Sequence, residues 1–82
     1  MITDTAVKNI QQQTIEKAAF FLAMKTWLER HHFKKASRAA EEQYKSCLEQ
    51  ARLVTGILEE DDEWGLQKRI AQLARHKLHQ NV

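Results

Sequence analysis

With successive residues advancing about 100°, as in a helix, the apolar residues of the first third of the chain fall on two separate faces. Val7, Ile10, Ala18, Phe21, Leu22 and Leu28 share one broad face, with Ile15 at its edge. Phe20, Met24 and Trp27 share a second face, well round from the first. A surface helix carries a single apolar stripe, and a helix that is apolar most of the way round is buried. The stretch 18–28 (AAFFLAMKTWL) therefore needs two neighbours.

The next periodic run is a seam. Phe33, Ala36, Ala40, Tyr44, Cys47, Ala51, Val54 and Leu58 alternate at spacings of three and four, as in a coiled coil. Three of these eight positions are alanine, so a facing helix can approach closely. This stripe is nearly in phase with the first face, and its period alone permits one continuous helix of about fifty residues. We expect a break in residues 31–37 (HHFKKAS), with Ser37 a candidate cap, although no glycine or proline marks a turn there. An unbroken helix would leave Phe20, Met24 and Trp27 with nothing in their own chain to pack on.

Thr3 or Asp4 is suited to cap the first helix. The acidic run 59–63 marks the next boundary, with Asp61 or Asp62 as the cap of a third helix. Trp64, Leu66, Ile70, Leu73, Ala74 and Leu78 form one face of that helix. The reading is thus one all-α domain with helices at 4–31, 36–59 and 62–79. It is a helical hairpin with a shorter third helix, packed coiled-coil fashion into a three-helix bundle.

Composition agrees with this class. The chain has no proline and only two glycines, too few turn residues for a β-sandwich or an α/β fold. At 82 residues, such a domain buries only about 60% of its unfolded surface, so a partner or a second copy would add stability. The single Cys47 cannot form an internal disulfide. The first residues lack a basic leader, and the longest apolar run is too short to span a bilayer. A reducing cytoplasm, without membrane attachment, is the expected setting.

Charge adds one ambiguity. The formal net charge is +2, too small to imply a nucleic-acid partner by itself. Its distribution is uneven: residues 25–38 carry Lys25, Arg30, Lys34, Lys35 and Arg38 against Glu29 alone. The macrodipole favours cations in the last turn of a helix. That accounts for Arg30, and likewise for Arg75, His76, Lys77 and His79 at the end of the third helix. Lys34, Lys35 and Arg38 would open the second helix, where positive charge is unfavourable. With Arg30 they make a candidate nucleic-acid surface beside Phe33.

Catalytic apparatus is absent from the sequence. Glu29-x-x-His32 has the spacing of the carboxylate–histidine pair of di-iron bundles, but the chain holds no second such pair. His76-x-x-His79 has no carboxylate or thiol nearby along the helix, so neither pair is read as a metal site. Cys47 sits on the apolar stripe with no histidine near it, which marks a structural thiol. There is no glycine-rich phosphate loop, no Gly-x-Ser-x-Gly and no Cys-x-x-Cys. The expectation is a non-enzyme without cofactor or metal.

The favoured function is protein–protein binding by a small adaptor, chaperone, inhibitor or other regulator, with a larger protein or a second copy of itself as partner. The candidate contacts are Phe20, Met24, Trp27, Phe33 and Trp64, since large aromatic side chains anchor interfaces. The alternative is a small basic nucleic-acid-binding regulator using the 25–38 cluster. In outline the pattern resembles small helical plasmid, phage and secretion-chaperone proteins, though no motif carries residues across from them.

Overall fold

The computed structural model describes residues 3–57 and 63–80. They form three helices, α1 (Asp4–Arg30), α2 (Lys34–Ile57) and α3 (Glu63–Gln80), in a rod about 45 Å long and 23 Å across. Leu58, the acidic run at 59–62 with its candidate caps Asp61 and Asp62, and the tail at 81–82 lie outside the described residues.

α1 opens where a cap is available. The Thr3 hydroxyl accepts the Ala6 backbone N–H at 3.2 Å, and Asp4 places negative charge in the first turn, toward the positive end of the macrodipole.

How α1 ends explains a turn made without glycine. The His32 N–H donates to the Glu29 carbonyl at 3.2 Å, and the Phe33 N–H donates to the Leu28 carbonyl at 2.9 Å. These are the two bonds of a Schellman motif, which requires a left-handed residue just past the helix. His32 supplies it, with φ 65°, the only non-glycine residue of positive φ among those described. The apolar contact that usually closes the motif is Phe33 against Trp27, whose rings lie nearly parallel with centroids 6.2 Å apart.

Phe33 then stands where α2 needs a cap, and it has no side-chain oxygen to give. Its carbonyl accepts the Ser37 N–H at 2.9 Å. Ser37 is therefore in the first turn of α2 and not its cap; it is buried, its hydroxyl 3.5 Å from Glu29 Oε1. Lys34 and Lys35 open α2 with no acid in the turn, against the dipole.

α1 and α2 fold back on one another. Lys25 pairs with Glu41 at 3.7 Å, Ser37 reaches Glu29, and Gln11 Nε2 donates to Thr55 Oγ1 at 3.1 Å. The residue numbers of each pair add up to 66, the constant sum of an antiparallel register. α3 returns parallel to α1. Arg69 donates to Gln12 at 3.3 Å, while Lys77 and Leu78 lie beside Phe20 and Trp27, so numbering rises along both helices.

α1 is thus the central element, packing against both α2 and α3. Its buried residues are Gln11, Thr14, Ile15, Ala18, Ala19 and Ala23. The core adds Cys47, Leu48 and Ala51 from α2 and Leu66, Ile70 and Ala74 from α3. Ile15 and Ile70 are fully enclosed, worth about 1.5–3 kcal/mol each.

This departs from the pattern in three places. Ile15, expected at the edge of the α1 face, sits at its centre, whereas Ile10, expected inside, is half exposed. The reason is that α1 serves two neighbours, so its buried sector is centred between the two apolar faces and runs over small residues. On α2, Phe33 and Ala36 are exposed, because the stripe cannot be extrapolated through a left-handed turn. On α3, Trp64 stands outside the core, 78% exposed.

At the far end from the turn, Arg52 bridges α2 and α3, pairing with Glu49 on its own helix and with Glu63. The hydrogen bond to Glu49, more than the charge of Glu63, raises the guanidinium above its ordinary value despite some desolvation.

Candidate functional site

Among the described residues, four of the large apolar side chains left exposed, Phe20, Met24, Trp27 and Phe33, gather at the turn end of the rod, while Ile10, Leu53 and Trp64 stand exposed away from it. Phe20, Met24 and Trp27 follow at i, i+4 and i+7 on the flank of α1 that neither neighbour covers fully. Their exposures are 50%, 36% and 45%. α2 occupies the side of α1 bearing Gln11 and Lys25, as the Thr55 and Glu41 contacts require. α3 packs its Ile70 and Ala74 into the cluster that holds Ala19 and Ala23. The Phe20–Trp27 flank lies just beyond that seam, so α3 forms its wall without lying on it.

The result is a groove of about 510 Å³. Phe20, Ala23, Met24 and Trp27 line one side, and Lys77, Leu78 and Gln80 the other. Phe20 is braced edge-on by Phe21 at 5.3 Å. Trp27 is held by two rings of the turn: His31 at 4.1 Å and Phe33 at 6.2 Å. Phe33, 53% exposed, continues the apolar surface around the end of the hairpin.

Of the five candidate protein-binding residues, the fold brings Phe20, Met24, Trp27 and Phe33 together. Trp64 is apart from them. It stands at the start of α3, and because α3 runs parallel to α1 that start lies at the opposite end of the rod. Pattern reading missed the far wall of the groove. Leu78 was legible as an apolar position of α3, but nothing in the sequence paired it with Ala23 or Met24.

The candidate nucleic-acid residues Arg30, Lys34, Lys35 and Arg38 are all exposed at the turn end. They do not form a surface of one sign. Lys34 and Arg38 line a shallow recess together with Glu29 and Glu41. Those two acids are themselves shared with Lys25, at 3.7 Å each.

The remaining chemistry is quiet. Glu29 and His32 do not share a helix face, because α1 ends at Arg30 and His32 lies in the left-handed turn. His76 Nε2 lies 3.0 Å from Gln80 Nε2. Among the described residues no group of three His, Cys, Asp or Glu side chains is placed to hold a metal, and no helix is long and apolar enough to cross a membrane. Cys47 is buried among the core residues. Comparison with protein-family models, curated proteins and solved structures gives no match to this chain.

Proposed function

We propose that this chain is a small non-enzymatic helical protein that acts by binding another protein, as an adaptor, chaperone or inhibitor of a larger partner. The observation that supports this reading is the continuous apolar surface of Phe20, Met24, Trp27 and Phe33, each between about a third and a half exposed. Scattered apolar residues are ordinary on a surface, whereas a contiguous patch rimmed by polar groups marks an interaction site. Aromatic residues and methionine are also the types enriched at interface cores. Covering four such side chains would recover a useful fraction of the roughly 1.5–3 kcal/mol that full burial of each supplies.

The test is Phe20→Asp and Trp27→Asp, made separately and expressed in the source cell with in-cell cross-linking. Both side chains are half exposed, so both variants should keep the helical circular dichroism and the mass of the parent while losing its cross-linked partner. Unfolding of either variant in a protein that is monomeric throughout would assign the face to the interior. Retention of the partner by both folded variants would remove this surface from the function. Binding that survives both variants and falls steeply with salt would move it to the basic cluster at the turn.

A further inference from the structure

We propose that the outer face of α3 binds single-stranded nucleic acid, with Trp64 stacking on a base and Lys68 and Arg75 holding phosphates. This is a second surface, independent of the groove at the turn end and of the protein-binding reading.

The helix period sets these residues on one line. Trp64, Lys68, Gln72, Arg75 and His79 follow at spacings of four, four, three and four, and at 100° per residue they fall within about 80° of one another. All five are exposed. The residues that α3 buries, Leu66, Ile70 and Ala74, centre about 160° round from them, so the stripe points away from the bundle. It runs about 22 Å at 1.5 Å per residue.

Packing and pairing within the chain do not account for its main members. Trp64 is 78% exposed and stacks on no other ring among the described residues. Lys68 and Arg75 make no ion pair among the described residues. The macrodipole favours cations in the last turn, which holds Lys77 and His79, whereas Lys68 and Arg75 stand before it. The acids around them are engaged elsewhere. After Glu63, α3 carries no Asp or Glu, and Glu63 itself pairs with Arg52. On α1, Glu16 accepts a hydrogen bond from Gln12 and lies beside Gln13, Lys17 and Phe20.

The side chains select the occupant. A protein interface is built on an apolar core from which lysine is depleted, and the stripe offers Trp64 alone. A helix that lies on a membrane gives its apolar face to lipid, and the apolar face of α3 is in the core. A duplex keeps the faces of its bases in the stack, which leaves Trp64 without a partner. A single strand supplies what the stripe matches: unpaired bases for an aromatic ring and a regular row of phosphates for cations. Gln72, between Lys68 and Arg75, is of a type that also contacts phosphate.

The experiment is a titration of a fluorescein-labelled oligothymidylate of about twenty nucleotides with the intact protein, followed by anisotropy from roughly 25 to 200 mM salt. Binding should weaken as salt rises and should quench Trp64 in a Trp27→Phe background. Trp64→Ala should lose at least about fivefold in affinity with the salt slope unchanged, and Trp64→Phe should recover most of that loss. Lys68→Gln and Arg75→Gln should each flatten the slope of log K against log salt by about 0.7. These changes are at exposed positions, and each variant is checked for unchanged helical circular dichroism. No binding at the lowest salt would overturn the proposal. So would a folded Trp64→Ala protein that binds as the parent does, or a duplex of the same length bound as tightly, since either removes base stacking. Loss of binding in the double variant Lys34→Gln, Lys35→Gln, with Lys68→Gln and Arg75→Gln unaffected, would move the site to the turn. Binding to phosphatidylserine vesicles without binding to the oligonucleotide would make an anionic lipid surface the partner instead.

Discussion

Replacing His32 with glycine should stabilise the protein. His32 has φ 65°, where the Cβ of an L-residue crowds the following carbonyl oxygen. The general cost of that conformation is about 1–2 kcal/mol, and histidine is among the residues that tolerate it best. Glycine removes the strain while giving the unfolded chain more freedom, which returns part of the gain. The net expectation is about 0.5–1 kcal/mol in favour of glycine. For a domain of this size that raises the melting temperature by about 2–8 °C. The side chain is exposed, so little packing is lost with it. His32→Ala keeps the strain and discards the same atoms, so it should lie near or below the parent; His32→Val should be worse by more than 1 kcal/mol, since a β-branched residue is least tolerant of positive φ. Thermal melts followed by circular dichroism at 222 nm read all three. If glycine and alanine lowered the midpoint equally, the imidazole would be holding the turn, and the argument from backbone geometry would be refuted.

Three further expectations follow from the packing. Cys47, buried beside Leu48 and Ala51, should react slowly with a thiol reagent in the native protein and rapidly in denaturant, and Cys47→Ala should cost about 1 kcal/mol. Ala51 has no exposed surface where α2 meets α1; Ala51→Leu should cost about 1–3 kcal/mol by overpacking, read by urea denaturation, and a neutral result would mean that the helices are not in close contact there. Spin labels at Lys17 and Lys45, both exposed, should lie about 20–25 Å apart across the hairpin, whereas a continuous helix would set them about 42 Å apart at 1.5 Å per residue.

The sequence by itself determined the elements. A 3.6-residue period, the near absence of turn residues and the acidic boundary suffice for an all-α chain with three helices, because helix formation and its caps depend on residues within a turn or two of each other. Ala40, Cys47, Ala51, Leu66, Ile70 and Ala74 were legible as core positions for the same reason, and all six are buried. The turn was expected but its mechanism was not. Schellman closure usually announces itself by a glycine, and here a histidine takes the left-handed position, steadied by the stacking of Phe33 on Trp27.

Tertiary structure decided which side of α1 each neighbour takes. A helical wheel ranks faces by apolarity, so it favoured large residues and set Ile10 inside and Ile15 at the margin. Packing chose the sector of small residues, Ala18, Ala19 and Ala23, with Ile15 at its centre. The same choice seated α3 alongside Phe20, Met24 and Trp27 without covering them, and its parallel course carried Trp64 to the other end of the rod. Which apolar side chains stay in water depends on where a helix from elsewhere in the chain comes to rest, and no local period encodes that.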